Sequence, residues 1–138
     1  MTVNMVGLAA TLATFLGIWV GHVSVRKVES IATVLWVPSL IYALLGAACE
    51  VAAVLSAHPA LSAALGILGI TFLFDAFEMV RQQRRIFHGH APAHPENPRH
   101  ARILREHSTA TTLDMLKREP VGRQVGHDEA VKLLARHE

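Results

Sequence analysis

VNMVGLAATLATFLGIWVGHVSV, residues 3–25, contains no Asp, Glu, Lys or Arg over 23 positions. A helix of that length reaches ~35 Å at ~1.5 Å per residue, and a bilayer's hydrocarbon core is ~30 Å thick. Two further stretches repeat the pattern. Residues 31–55 carry one charge, Glu50, and residues 61–80 carry two, Asp75 and Glu78, both near one end. The reading that follows is an all-α membrane protein with three transmembrane helices, spanning at about 3–25, 33–55 and 60–80, within a domain of residues 1–85.

Charge is distributed unevenly along the chain. Residues 1–80 hold six charged side chains and residues 81–138 hold eighteen, eleven of them Lys or Arg and seven Asp or Glu. A basic tail of this kind suits the surface of anionic lipid. It holds one aromatic residue, Phe87, and so lacks the stacking platform of a single-strand nucleic-acid binder; the expected partners are the bilayer and other membrane subunits or a second copy, with no nucleic acid. Cys49 is the only cysteine, which excludes an internal disulfide and any cysteine-based metal spacing. Residues 8–20 could pass for the apolar core of a signal peptide. No basic residue precedes them and no A-x-A type site follows, so the expectation is a retained spanning helix.

Orientation follows from the connections. Arg26 and Lys27 lie between the first and second stretches, none of residues 56–60 is basic, and Arg81, Arg84 and Arg85 follow the third. The positive-inside rule then predicts an outside N-terminus and a cytoplasmic C-terminus. Trp19 and Trp36 fall near the inner ends of their helices, the level that amphipathic rings favour.

Punctuation sets the remaining boundaries. Pro38 is tolerated in a first turn, which starts the regular part of helix two near Leu35. Pro59 is placed to open helix three, which is expected to continue through Gln82, Gln83 and Arg85 until Gly89 and Pro92 stop it. Residues 86–101, with Pro92, Pro95 and Pro98, read as an extended Pro/His-rich linker without a packed core. The tail of residues 102–138 offers two short amphipathic helical patterns. One, over 99–118, is interrupted at 108–112; the other follows Asp128 as a cap.

Helix association in lipid depends on close backbone approach, and small or polar residues mark one face of each helix: Ala10, Thr14, Gly17, Gly21 and Ser24; then Ser39, Ala43, Gly46 and Glu50; then Thr71, Asp75, Glu78 and Gln82. The simplest arrangement is a three-helix bundle with these stripes inside. The alternative uses Gly17 with Gly21, or Gly66 with Gly69, for dimerisation.

Ionisable residues within apolar helices are costly, at ~2.5–3.5 kcal/mol near the helix centre, and are therefore the candidate functional residues. Counting from helix midpoints, Glu78 and His22 both lie ~12 Å toward the inner side and Asp75 ~8 Å, so a His22–Glu78 contact is expected, extended outward by Lys27, Glu29, Arg81 and Arg85. The plainer alternative sets Asp75 and Glu78 against Arg81, Arg84 and Arg85. Glu50 falls ~8–10 Å to the outer side, ~16–20 Å from the Asp75 level on the same count, too far for a hydrogen-bonded relay within one chain; His58 is its expected neighbour. His88, His90 and His94 form a loose histidine tract with weak potential for Ni, Cu or Zn. No phosphate-binding loop, H-E-x-x-H or nucleophile elbow occurs. The expectation is a protein without cofactor or enzymatic activity.

Two stretches together resemble a family of small bacterial integral-membrane proteins classed as a domain of unknown function. The first is Gly21-His22 followed by Lys27 and Glu29, a G-H-x4-K-x-E pattern. The second runs from Gly66-Ile67-Leu68-Gly69 through Glu78, Gln82-Gln83, Arg85, Gly89 and Pro92 to Asn97-Pro98-Arg99. The resemblance covers about residues 6–99 and implies a three-helix inner-membrane protein, with His22, Lys27, Glu29, Glu78, Arg85, Asn97 and Pro98 as the shared positions. Val23 stands where the family would have proline, and residues 100–138 are additional. The resemblance implies no activity. The functional expectation is an accessory or interaction subunit of a membrane assembly, with an oligomeric proton or cation pathway through Glu50 and Asp75/Glu78, or a lipid-surface or metal-responsive tail, as alternatives.

Overall fold

The computed structural model describes residues 3–114, and among them every regular element is helical: α1 (Met5–Ile31), α2 (Trp36–Leu55), α3 (Pro59–Phe87) and α4 (Pro98–Glu106). The first three are long and apolar enough to cross a membrane. Asn4 opens α1, its Oδ1 accepting from the Gly7 N–H at 3.1 Å, which satisfies one of the donors a helix start leaves orphaned. Pro38 lies in the first turn of α2 and Pro59 is the first residue of α3, both positions where a missing N–H costs nothing. The Ser62 hydroxyl donates to the Ala53 carbonyl at 2.8 Å, tying the start of α3 to the last turns of α2.

α3 packs on α1 and α2 with different faces. Toward α2 it presents Gly69 and Leu73: a Cβ placed on Gly46 would stand 2.7 Å from Leu73 Cγ and 2.8 Å from the Gly69 carbonyl oxygen, so the two backbones are in contact. Toward α1 it presents Thr71 and Asp75. A Cβ on Gly17 would meet Thr71 Oγ1 at 3.2 Å, and one on Gly21 would meet Asp75 Oδ2 at 2.5 Å. Most of the expected stripe residues are therefore interior, serving two interfaces on a central α3 rather than one common axis; Thr14 is the exception, exposed on α1, whose buried face runs Ala13, Gly17, Gly21, Val25 and Glu29. Gly17, Gly21 and Gly69, considered above for dimerisation, close contacts within the chain. α1 and α2 are linked by the Tyr42 hydroxyl, which donates to Ser24 Oγ at 2.7 Å.

α3 ends in a Schellman motif, with the Gly89 N–H on the Ile86 carbonyl and the His90 N–H on the Arg85 carbonyl, the pattern that places a left-handed residue just past a helix. Gly89 has φ 69°, and a Cβ there would strike the Thr109 carbonyl oxygen. The segment expected to be an extended, unpacked linker is instead folded. Ala91 and Ala93 join Ile86 and Ile103 in a small core flanked by Phe87, Leu104 and Ala110. Phe87 stacks on His107 with ring centroids 4.5 Å apart, Thr109 Oγ1 donates to the Phe87 carbonyl, and the Ala93 N–H donates to the Thr111 carbonyl at 2.8 Å. Prolines limit helix and strand, not burial, and alanines at 91 and 93 are small enough to lie flat against α3. α4 begins at Pro98 behind the Asn97 cap and stops at Glu106, ahead of the 108–112 interruption that the sequence marks. The amphipathic segment after Asp128 lies outside the described residues.

Candidate functional site

At the end of the helices that carries Arg26 and Lys27, one carboxylate organises the chain. Glu29, in the last turn of α1, is 1% exposed, and the two residues that meet it, Arg99 and His100, are 6% and 0% exposed. Arg99 Nη2 donates to Glu29 Oε1 at 2.7 Å and to the Glu29 carbonyl at 2.6 Å, while its Nε donates to the Ala32 carbonyl at 3.0 Å. Asn97 Nδ2 donates to the Ser30 and Ala32 carbonyls at 3.0 and 3.1 Å, and Asn97 Oδ1 caps α4 through the Arg99 N–H at 3.0 Å. The unpaired carbonyls at the end of α1 are thus satisfied by side chains at the start of α4, which meets the requirement of a buried helix end.

The tautomer of His100 follows from its neighbours. The His94 N–H donates to Nδ1 at 3.0 Å, so the ring proton sits on Nε2 and points at Glu29 Oε1, 3.1 Å away. Arg99 Nη2 lies 2.8 Å from the same ring nitrogen, two donors converging on one carboxylate oxygen. Arg99 Nη1 is buried with no hydrogen-bond partner among the described residues. A cation in the first turn of a helix opposes the helix dipole; Glu29 compensates for Arg99 there.

The other candidate residues divide into two groups. Glu78 forms ion pairs with Arg81 at 3.3 Å and Arg85 at 3.2 Å, and Arg85 Nη1 donates to Gln82 Oε1 at 3.3 Å. Among the described residues no hydrogen bond or ion pair joins His22 to Glu78; matched depth was not enough, because the arginines one and two turns further along α3 reach Glu78 from its own helix. Asp75 is buried against Gly21, with Oδ2 lacking a hydrogen-bond partner among the described residues. Glu50 lies on the opposite face of α3, its Oε1 2.7 Å from where a Gly69 Cβ would be. Level with Gly69, it stands six residues from Asp75, ~9 Å along the α3 axis, nearer than midpoint counting gives. No hydrogen bond joins Glu50 to His58 among the described residues.

His22, Arg26, Lys27, Gln82 and His94 line a cavity of about 360 Å³ between α1, α3 and the loop after α3. Of the histidine tract, the His88 and His90 rings are 6.0 Å apart and His94 lies 5.7 Å from His100 instead. Among the described residues no three His, Cys, Asp or Glu side chains stand close enough to hold a metal ion.

Arg99 and His100 as partners of Glu29 escaped sequence reasoning. A usable signal was present, since Asn97-Pro98 is a cap followed by a first-turn proline and places Arg99 where a helix rejects a cation without a nearby acid.

Three helices long and apolar enough to cross a membrane, gathered on a central α3 and closed at one end by a buried carboxylate–guanidinium–imidazole knot, make the described residues an all-helical unit compatible with a multi-pass membrane protein. The family described as Domain of unknown function (DUF4491) matches residues 4–98, more than half of the chain, and the chain belongs to it. The match ends at Pro98, so Glu29 and Asn97 fall within the family region while Arg99 and His100 lie just past it. No curated protein and no solved structure matches the chain.

Proposed function

We propose that this protein is a non-enzymatic accessory subunit of a bacterial inner-membrane assembly, with its N-terminus outside and the α4 cap and tail in the cytoplasm. The observation that carries the reading is how the charged groups at the basic end are used. Glu29, Arg99, His100 and Asn97 hold the cap rigidly on α1, while the outward faces of α1 and α2 carry large apolar side chains such as Phe15, Trp19, Leu44 and Val51, each at least 60% exposed. A rigid cap presented at the inner surface and apolar faces open to lipid or to neighbouring helices suit a protein that docks. Arg26 and Lys27 at one end of α1 and Arg81, Arg84 and Arg85 at the same end of α3 support the orientation.

The test is purification of the full-length tagged chain in mild detergent after brief cross-linking. A membrane protein is expected at fixed stoichiometry, with recovery falling several-fold in Glu29→Gln, where the cap is loosened, and unchanged in Arg84→Gln. A chain that migrates alone at its monomer mass under these conditions would overturn the reading.

A second reading rests on Asp75 and Glu50. Asp75 Oδ2 is buried without a hydrogen-bond partner among the described residues, and Glu50 stands ~9 Å from it along the α3 axis but on the opposite face of that helix, so water joining the two carboxylates has to pass around α3 or through an oligomer. Intramembrane carboxylates are functional candidates by default. A proton or cation pathway predicts that proteoliposome flux disappears in both Glu50→Gln and Asp75→Asn; the accessory reading predicts no flux above empty vesicles in the parent protein or either variant.

A further inference from the structure

We propose that the cavity between α1, α3 and the loop after α3 binds a phosphate-bearing anion, gripped by Arg26 and Lys27 with Gln82 as a neutral donor. The charge balance of the lining makes the case. Glu29 reaches this cavity, yet its carboxylate is neutralised by Arg99 at 2.7 Å and receives His100 at 3.1 Å. Arg85 belongs to an adjoining space of about 210 Å³ that shares His22, Arg26 and Gln82, and it is held by Glu78 at 3.2 Å. Asp114 lines both spaces and has an interaction of its own; counted at full charge it offsets one of the two cations and leaves the lining net positive. Arg26 and Lys27 remain, and neither forms an ion pair with any described residue.

The neighbouring groups are donors suited to an oxyanion. Gln82 is 6% exposed and its Oε1 accepts from Arg85 Nη1, which leaves its amide N–H₂ as the donor. His22 lies one helical turn before Arg26 and lines both spaces. A guanidinium offers a bidentate fork to phosphate oxygens and an ammonium adds a point charge. At about 360 Å³ the cavity is at the small end of ligand sites, the scale of a headgroup.

Two sources present this chemistry. One is the headgroup of an anionic phospholipid, since basic pockets between helices at the inner surface recognise such groups; this source rests on the bilayer placement proposed above. The other is soluble phosphate or a phosphate ester, which does not depend on that placement.

Native mass spectrometry of the full-length protein in mild detergent, titrated with phosphatidylglycerol or phosphatidylcholine, separates the sources when paired with a competition arm using inorganic phosphate. Retention of phosphatidylglycerol at least tenfold above phosphatidylcholine is expected, falling about tenfold in the Arg26→Gln/Lys27→Gln double variant and by less than twofold in Arg84→Gln, an exposed position on α3. Lys27→Gln alone, at an exposed site where folding is not at stake, is expected to fall three- to fivefold. Binding of inorganic phosphate that is lost in the double variant, with no lipid preference, assigns the site to a soluble ligand. Equal retention of both lipids with no phosphate binding overturns the proposal even where the protein extracts as an integral membrane protein. So does a loss in Arg84→Gln as large as in the double variant, because the attraction would then be diffuse.

Discussion

Glu29→Ala is expected to destabilise the protein by about 3–5 kcal/mol, the cost of leaving one member of a buried ion pair uncompensated. The substitution removes one carboxylate and strands two donors. Arg99, 6% exposed, keeps its charge and its bonds to the Glu29 and Ala32 carbonyls, but loses the only carboxylate that approaches it among the described residues. His100, fully buried, is left with an unanswered Nε2–H. Because the lost contacts all join α4 to α1, the damage should begin locally: protease cleavage within residues 88–106 is expected at detergent or temperature conditions where α1 to α3 still resist. Thermal unfolding followed by circular dichroism gives the global loss, and limited proteolysis with mass mapping gives its location. A Glu29→Ala melting curve within 0.5 kcal/mol of the parent would show that the knot is decorative. The Arg99→Ala change should cost a similar amount, and the Glu29→Ala/Arg99→Ala double should cost clearly less than the two singles added together, since each single change leaves a charge that the double change removes.

The second large effect belongs to Gly46. Alanine there puts a Cβ 2.8 Å from the Gly69 carbonyl oxygen and 2.9 Å from the Leu73 amide nitrogen, both backbone atoms that no rotamer change relieves, so α2 must move away from α3. Overpacking of this kind costs about 1–3 kcal/mol, and in lipid no hydrophobic drive between helices compensates for separated backbones. Gly66→Ala is the matched control. Its Cβ meets only the Ala53 Cβ at 3.9 Å, an ordinary contact, and a glycine replaced by alanine within a helix gains about 0.5–1 kcal/mol. The pair should therefore differ in sign when unfolding is titrated with SDS in mixed micelles. Equal responses at the two positions would mean that α2 and α3 do not approach as described.

Much of the architecture is legible before any coordinates. Three long apolar stretches, Pro59 at a helix start and Gly89 past a helix end act through local physics: a helix must satisfy its own backbone in an apolar medium, proline lacks a donor and glycine alone adopts positive φ readily. The stripes of small residues were legible for the same reason, since a glycine is informative wherever helices touch. Depth counting was less successful. It placed His22 and Glu78 at one level without saying which way either side chain turns, and it put Glu50 further from Asp75 than the α3 axis does, because helix midpoints ignore how far one helix slides past another. Over residues 86–101 proline-rich composition suggests an unpacked linker but carries no information on burial: Ala91 and Ala93 pack with Ile86 and Ile103, and the two ends of the range belong to α3 and α4.

By itself, the order of residues determined the three long apolar helices, their punctuation and the charge difference between the two ends, all of which depend on neighbours a few positions apart; it ends the first helix at residue 25, whereas α1 continues through Arg26 and Lys27 to Ile31. Only the tertiary structure decided that α3 is the central helix, that Gly46 belongs to Gly69 and Gly21 to Asp75, and that Glu29 is answered by Arg99 and His100 some seventy residues later. Such pairings are set by how rigid helices dock and where a loop returns, a long-range geometry that local propensity and periodicity do not encode.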